Sequence, residues 1–206
     1  MVVFSLGAVP ITALLVSVLL KRDQWFDHDL WGNFRRGILV FVPAAVLYFI
    51  IPAGVPPFLN PGALFLFYWL HDYVLFHGIA MIAFLLFFGF SGDGDEISVF
   101  LFFAGFYTLA GVVDTIDYFG SYNLYVLFLL PVLRIGLLFA TTLLLTLMLD
   151  AFQFFKAPFL VGALALSCVP GITALLFYRN FILVSIVITV LFLGGALASF
   201  LLLRDK

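Results

Sequence analysis

Long runs of apolar residues occupy most of this sequence and limit what it can fold into. Seven runs are at least about 17 residues long, which is the length that an α-helix needs to cross the hydrocarbon core of a bilayer. They cover residues 2–20, 37–53, 63–90, 97–118, 124–149, 158–178 and 181–203. Helices are expected in all of them, because strands with open edges would leave backbone groups unpaired in lipid. The sequence predicts one all-α transmembrane domain over 1–206, a polytopic helix bundle of about seven spans.

The scarcity of charged residues indicates the same class of protein. Of the 206 residues, 66% are hydrophobic and only 10% are charged, whereas a soluble domain carries roughly a quarter charged residues. So few charges cannot cover a water-facing surface of this size, and most of the exterior must therefore face lipid. We expect an integral membrane protein in contact with the lipid bilayer. The net charge of −2 gives no reason to expect nucleic-acid binding.

The distribution of basic residues between the connectors predicts the orientation, because lysine and arginine are enriched in cytoplasmic loops. With the N-terminus outside, the cytoplasmic side holds Lys21, Arg22, Arg35, Arg36, Lys156, Arg204 and Lys206. Arg179 then falls outside, and Arg134 lies within a span. We predict an N-out/C-in protein of the cytoplasmic (inner) membrane of a prokaryote. If the turn at 178–181 instead interrupts one long helix pair, six spans remain and the C-terminus lies outside.

The first cytoplasmic connector contains residues that are typical of the membrane surface. Its sequence is KRDQWFDHDLWGNFRR, and the expected interfacial anchors are Trp25, Trp31, Arg35 and Arg36. Indole rings favour the interface, and arginines can meet anionic headgroups. A short interfacial helix that anchors spans one and two is therefore expected, with a partner-docking segment as the alternative.

Six ionisable residues lie inside the predicted spans and are the candidates for a ligand, ion or proton pocket. They are His71, Asp72, His77, Asp114, Asp117 and Arg134. A charged group near the middle of a bilayer costs at least about 2.5–3.5 kcal/mol, so a functional role is the first hypothesis. The alternative is structural, because buried Asp–Arg pairs and histidines bonded to carbonyls can simply hold helices together.

Regular helical geometry predicts how these residues group. Asp114 and Asp117 share one face of span four, where Arg134 of span five could pair with one of them. The two histidines and the aspartate of span three point about 100–140° apart. Span three is therefore expected to be the central helix of the bundle or to be locally unwound. The expected pocket lies in the outer half of the membrane, with His77 deeper and on a different side.

No motif of a known catalytic or metal site accompanies these residues. His71 and His77 are six positions apart, whereas two ligands on one helix face need the i,i+4 spacing. The single cysteine, Cys168, excludes an intrachain disulfide and a cysteine-rich metal site. We expect no metal and no cofactor, and no residue is assigned a catalytic role. A metal held by a histidine of span three and an aspartate of span four stays open as the alternative.

Small residues on the last span predict close helix contacts. Two small-xxx-small pairs are formed by Gly194, Gly195, Ala198 and Ser199. Such faces let another helix approach closely, either within the bundle, from another membrane subunit or in a homo-oligomer.

Three functions are compatible with this sequence. The leading hypothesis is a carrier, a permease-type protein or a transport-complex subunit, whose polar pocket accepts a small solute, ion or proton. The second is a non-enzymatic scaffold or assembly subunit of a membrane complex. The third, less expected, is an intramembrane enzyme that acts on a lipid headgroup by acid–base or metal chemistry.

Overall fold

Every regular element in the described part of the chain is a helix. The computed structural model describes residues 2–20, 28–50, 62–63, 66, 69–89, 95–117, 124–151 and 156–204. The helices are α1 (Val2–Leu20), α2 (His28–Ile50), α3 (69–89), α4 (Glu96–Asp117), α5 (Tyr125–Asp150), α6 (Lys156–Ala165), α7 (Cys168–Tyr178) and α8 (Ile182–Arg204). The predicted all-α fold is confirmed for these residues.

Five helical segments are long and apolar enough to cross a membrane. They are Trp31–Ile50, Glu96–Val113, Tyr125–Asp150, Lys156–Tyr178 and Ile182–Leu202. The apolar stretches Leu6–Leu19 and Leu75–Gly89 are shorter. Large aliphatic side chains lie on the outside of the bundle, and Leu19 and Leu183 are 77% and 75% exposed. Such a surface suits lipid, so the structure supports the membrane helix bundle that the composition predicts.

The central helix is α4, and the expectation that span three holds this position is wrong. In α4, every residue from 99 to 107 is buried, and the helix packs against α1, α2, α3 and α5. By contrast, α3 leaves Leu70, Ile82 and Leu86 exposed on one side. Sequence reasoning equated polar residues with a central position. The centre is instead the phenylalanine-rich part of α4, because aromatic rings fill the space between helices without leaving polar atoms unpaired.

Two glycines let α2 and α4 touch through their backbones. A Cβ atom on Gly37 would lie 1.9 Å from the carbonyl oxygen of Phe102, and one on Gly105 would lie 2.0 Å from that of Phe34. No side chain fits at either position. Close contacts of this kind are the ordinary way in which membrane helices pack tightly.

Ring contacts define how α2, α3 and α4 run relative to one another. Along α3, Phe76 packs on Tyr48 and Phe87 lies under the Arg36 guanidinium, so α3 is antiparallel to α2. Phe84 packs on Phe103 and Phe88 on Phe102, so α3 is antiparallel to α4 as well. The chain therefore reverses direction at each of these helices.

Helices α7 and α8 are joined by the tight turn that the sequence contains at 178–181. Asn180 adopts a left-handed conformation with φ 65°, and the Phe181 N–H donates to the Leu176 carbonyl at 2.9 Å. This is the Schellman pattern that ends a helix and reverses the chain. The side chain of Ser185 then reaches back to the Thr173 carbonyl at 2.9 Å, so the two helices lie side by side. One continuous interrupted helix is thus not observed here.

The polar segment that precedes the second apolar run belongs to a long helix. Residues 28–36 continue without interruption to Ile50 within α2, whereas a separate short interfacial helix was expected. The segment WGNFRR contains no helix-breaking proline, so nothing in it ends the helix before the apolar run begins. Asn33 is buried, and Phe34 packs on Trp31 at a centroid distance of 5.5 Å. Trp25 lies outside the described residues.

Three segments in two helices depart from regular α geometry. The first six residues of α3 (Trp69–Val74), its last five (Leu85–Gly89) and the first five of α5 (Tyr125–Leu129) form wider π turns. These turns invalidate the angles calculated for a regular helix in span three. Span three stays helical from 69 to 89, with wider turns at both ends, and is not unwound. Such turns occur frequently at functional sites.

Candidate functional site: a polar cluster around His77

His77 lies inside the bundle and connects four helices. Only 3% of its surface is exposed. Its Nδ1 lies 2.6 Å from the Tyr107 hydroxyl of α4. The Thr141 hydroxyl of α5 lies 3.5 Å from Nε2, and the Ala163 backbone of α6 is a further hydrogen-bond partner of the ring. We call His77, Tyr107 and Thr141 the His77 cluster.

The partners of the ring define its hydrogen-bonding roles. The carbonyl of Ala163 can only accept, so the nitrogen that faces it carries the ring proton. With the ring proton on Nε2, Nδ1 accepts the O–H of Tyr107, and the Thr141 hydroxyl is a further partner of the Tyr107 oxygen. Each of these groups has a hydrogen-bond partner. The cluster is a short chain of donors and acceptors built from side chains.

A small cavity adjoins this cluster. Its volume is about 30 Å³, which is room for roughly one or two water molecules. It is lined by Phe76, His77, Phe106, Tyr107, Leu130, Arg134, Leu137, Ser167 and Pro170. Polar groups therefore converge on a space that is otherwise lined by aromatic and aliphatic side chains.

The cavity lies at the break between α6 and α7. Pro170 favours the break, because a proline early in a helix is tolerated whereas one in the interior removes a backbone bond. At the turn, the Ser167 hydroxyl donates to the Leu164 carbonyl at 2.7 Å and accepts the indole N–H of Trp69 at 3.3 Å. Trp69 lies in the first π turn of α3. Thus two irregular backbone segments meet beside the cavity.

The structure brings together two of the predicted site residues. His77 and Arg134 line the same cavity, a pairing that the sequence analysis did not predict. That His77 lies on a different side of α3 from His71 and Asp72 stays a prediction. His77 and Arg134 lie roughly 12 and 14 Å from the N-terminal ends of their helices, a little over a third of the way along each.

The remaining candidates have described backbones only. His71 and Asp72 lie in the first π turn of α3, and Asp114 and Asp117 lie in the last two turns of α4. Their side chains lie outside the described part of the structure. The predicted pairing of Arg134 with an aspartate of span four therefore stays a prediction.

Sequence reasoning missed Tyr107, Thr141 and Ser167. Each is a hydroxyl residue in an apolar run, and none is charged, so a search for ionisable residues passes over them. The available signal was the interruption of phenylalanine by FYT in α4 and of leucine by TT in α5. A buried hydroxyl needs a partner, and that requirement would have linked these residues to a histidine.

A second polar cluster ties the start of α5 to α7 and α8. The Tyr125 hydroxyl donates to the Pro170 carbonyl at 2.6 Å and lies 3.0 Å from the Thr173 hydroxyl. Ser185 of α8 donates to the carbonyl of Thr173 at 2.9 Å. We call Tyr125, Thr173 and Ser185 the Tyr125 cluster. Its interhelical bonds from Tyr125 and Ser185 end on backbone carbonyls, which suits a structural role.

The predicted interfacial anchors and the small-residue face lie on the surface. Arg35 and Arg36 are exposed, and Arg36 donates to the Asn33 side chain at 2.8 Å. Trp31 is partly buried against Phe34. All four predicted small residues of α8 are exposed: Gly194, Gly195, Ala198 and Ser199. A Cβ on Gly194 or Gly195 would meet nothing within 4 Å, and Gly195 and Ser199 line a groove with Ala140 and Leu143 of α5.

Comparison of the chain with protein-family models, with curated proteins and with solved structures found no match. Within the described residues, no group of three or more histidine, cysteine, aspartate or glutamate side chains is close enough to hold a metal ion. The His77 cluster and its cavity are therefore the features on which a function can be proposed.

Proposed function

We propose that this chain is a transport-type membrane protein that moves protons through the His77 cluster. The observation that carries the proposal is a water-sized polar cavity beside a buried histidine whose partners are themselves proton donors and acceptors. In this proposal the protein has seven spans and the N-out/C-in orientation, and it works alone or as a subunit of a transport complex.

The directions of the helices support the seven-span topology. Because α3 is antiparallel to both α2 and α4, the ends of these helices that carry Arg36 and Glu96 lie on one side of the bundle. Helices α7 and α8 are also antiparallel, because the chain reverses at the turn between them. Together with the basic residues of the cytoplasmic connectors, these reversals favour the N-out/C-in orientation.

The size of the cavity favours a proton over a solute. About 30 Å³ accommodates roughly one or two waters but no organic metabolite. Intramembrane histidines are recurrent members of proton relays, because an imidazole can accept a proton on one nitrogen and release one from the other. The cavity also lies roughly 12 Å or more from the helix ends. A proton can cross such a distance through hydrogen-bonded groups, without a wide channel.

The hydrogen bonds suggest the order of transfer. An excess proton on a cavity water, a hydronium ion, passes to the oxygen of Tyr107 while the Tyr107 proton passes to Nδ1 of His77, which leaves neutral water, neutral tyrosine and an imidazolium. The imidazolium then releases its other proton from Nε2 to a second water, directly or through the Thr141 hydroxyl, which gives up its own proton as it accepts one. Rotation of the hydroxyls and of the imidazole restores the starting arrangement.

Proton flux into liposomes tests this proposal. The purified protein is reconstituted with a pH-sensitive dye inside, and a potassium gradient with valinomycin drives protons inward. We expect wild type to exceed empty liposomes clearly and His77→Gln to lose at least tenfold, because glutamine keeps hydrogen bonding but cannot take up a proton and pass one on. Tyr107→Phe should show a similar loss.

Ser185→Ala is the matched control, because it removes a buried hydroxyl of the Tyr125 cluster and leaves the His77 cluster intact. It should retain wild-type flux. Unfolding midpoints of all four proteins show whether a loss of flux reflects loss of fold. Wild-type flux equal to that of empty liposomes, or full flux through His77→Gln, contradicts the proposal.

A second candidate function, a non-enzymatic scaffold or assembly subunit, is favoured by the surface of α8. Only 17% of the window Ile182–Leu202 is buried, and the small residues Gly194 and Ala198 lie exposed on it. A Cβ on Gly194 would meet nothing within 4 Å. Co-purification of a stoichiometric partner in mild detergent, lost on Gly194→Leu and Ala198→Leu, would support this function.

A further inference from the structure

Arg134 places a positive charge in the wall of the cavity beside the His77 cluster. It lines this cavity together with His77 and Tyr107, and it is close enough for its charge to act on both side chains. A guanidinium is protonated at every pH that proteins tolerate, and its field is stronger among apolar groups than in water. None of the described residues that line the cavity is an acid, so the space is electropositive.

The proposed relay puts a second positive charge beside the same cavity. When Nδ1 of His77 takes the Tyr107 proton, the imidazole becomes an imidazolium, and two cations then face one small space. Like charges repel strongly in a low-dielectric interior, and a buried charge is tolerated only where an opposite charge or suitable dipoles compensate it. Arg134 therefore opposes the protonation of His77 unless a negative charge lies close to both.

The described groups around the ring do not supply this negative charge. Titratable or charged side chains lie at the cavity or on the elements beside it in four helices, and each is neutral or positive at neutral pH. They are Tyr48 of α2, Tyr107 of α4, Arg134 of α5 and Cys168 of α7. The side chains outside the described part of the chain are those of His71, Asp72, Asp114 and Asp117. An anion from solution is a source of negative charge that the cavity itself can accommodate.

A halide ion matches the cavity in size and in chemistry. The volume of about 30 Å³ is roughly twice what one water requires, and a chloride ion is only slightly larger than a water molecule. The guanidinium of Arg134 has five N–H donors, so it can bind an anion while it keeps another partner. Phe76 and Phe106 contribute to the wall, and the edges of aromatic rings are positive, unlike their faces. A metabolite that carries a phosphate or a carboxylate exceeds this volume.

We propose that the cavity beside the His77 cluster binds one halide ion, such as chloride, between Arg134 and the imidazole. In the relay this ion is the counterion of the imidazolium, and it stays bound while protons pass. The counterion role rests on the proposed function, whereas the halide site rests only on Arg134 and the size of the cavity. Because protonation of His77 and halide binding favour each other, a lower pH should strengthen halide binding.

Chloride titration of the purified protein in lipid nanodiscs tests the site without a flux measurement. The protein is prepared in sodium gluconate, whose anion is too large for the cavity, and chloride then replaces gluconate at constant ionic strength. The linewidth of the chloride NMR signal reports the bound ion. We expect saturable binding to wild type that tightens at least threefold between about pH 8 and about pH 5, and no such pH dependence in His77→Gln.

Substitutions of single arginines then locate the ion. Arg134→Gln should weaken chloride binding at least tenfold, whereas Arg134→Lys keeps the charge and should stay within about fivefold of wild type. Arg179→Gln is the matched control, because it removes an exposed arginine at the turn between α7 and α8. It should bind chloride as wild type does. The unfolding midpoint of each variant shows whether a loss of binding reflects a loss of fold.

The outcomes separate this inference from the proposed function. Absence of saturable binding to wild type, or unchanged binding to folded Arg134→Gln, shows an adventitious ion only and overturns the halide site. Where Arg134→Gln does not fold, the pH dependence of wild type against that of His77→Gln decides, and equal behaviour of the two overturns the site.

The counterion role is tested by proton flux with and without chloride. Flux through wild type should fall at least fivefold when gluconate replaces chloride on both sides of the liposome membrane. Equal flux in the two salts overturns the counterion role and leaves the His77 relay standing. Saturable, Arg134-dependent chloride binding without any proton flux overturns the relay and leaves the halide site.

Discussion

The bundle contains two buried polar clusters that differ in what their hydrogen bonds end on. In the Tyr125 cluster, the side chains of Tyr125 and Ser185 donate to backbone carbonyls of α7. In the His77 cluster, Tyr107 bonds to an imidazole and Thr141 contacts the same ring. The first set of bonds has a fixed direction, because a carbonyl never donates. The second set can reverse, because hydroxyls and imidazoles both donate and accept.

The two clusters also differ in their surroundings. The His77 cluster faces a cavity of about 30 Å³ with Arg134 in its wall. Tyr125 packs against the rings of Phe177 and Tyr178, at centroid distances of 5.6 and 6.0 Å. A polar group that only holds helices together is best packed tightly, since space around it adds nothing to the bond. Under the proposed function, the Tyr125 cluster is a structural tie and the His77 cluster is the site of proton transfer.

The largest effect is expected from a substitution that disturbs the contact between α2 and α4, which supports the His77 cluster but not the Tyr125 cluster. Gly105→Ala places a methyl group 2.0 Å from the Phe34 carbonyl oxygen, so α2 and α4 must move apart. We expect a loss of about 2–3 kcal/mol in unfolding free energy. Proton flux should fall too, because Tyr107 lies two residues away on the same helix. Unfolding in mild detergent and the flux assay measure the two effects.

Gly32→Ala is the control for this substitution. Gly32 also lies within a helix, but a Cβ there meets nothing within 4 Å. Alanine is the better helix former, so this variant should gain about 0.5–1 kcal/mol. Equal effects of the two substitutions would show that α2 and α4 do not cross at Gly105. NMR signals of Tyr125 and Ser185 should stay unchanged in both variants, because their cluster is built on other helices.

The sequence predicted the class of fold because that class depends on composition and run length. Runs of apolar residues predict where helices lie to within a few residues, as α1 and α8 illustrate. The identity of the central helix was not predictable in this way. It depends on the crossing of Gly37 with the Phe102 backbone, and a glycine in an apolar run gives no sign of which helix it faces.

The candidate site was predicted in part, for a related reason. His77 and Arg134 were recognisable because ionisable groups are rare in membrane spans. Their shared cavity was not, because π turns in α3 change the direction of side chains relative to a regular helix. Ser167 became relevant only through the break before Cys168, which Pro170 favours but does not fix. Spacing rules fail where the backbone is irregular, and such segments adjoin this cavity.

A smaller effect is expected from removing the central bond of the structural tie. Tyr125→Phe deletes the hydroxyl that donates to the Pro170 carbonyl at 2.6 Å. Interhelical hydrogen bonds in membranes are worth about 0.6 kcal/mol on average and up to about 1.7, and this short, buried bond belongs at the upper end. We expect a loss of about 1–2 kcal/mol in unfolding free energy.

Proton flux per folded molecule of Tyr125→Phe should equal that of wild type. A tenfold loss of flux without unfolding would remove the functional distinction between the clusters.

The smallest expected effect is that of Ser185→Ala at the edge of the same cluster. Ser185 donates to the Thr173 carbonyl at 2.9 Å, a group that already lies within a helical hydrogen-bonding pattern. Its loss should cost about 0.6 kcal/mol, the average for such bonds. Combined with Tyr125→Phe, the two costs should add to within about 0.5 kcal/mol if the bonds act independently. A larger deviation would mean that Thr173 couples the two bonds, because its hydroxyl lies 3.0 Å from that of Tyr125.

In the His77 cluster, by contrast, the effects of Tyr107→Phe and Thr141→Val on proton flux should deviate strongly from additivity. Either substitution alone interrupts the same relay, so the double variant should lose little more flux than each single variant.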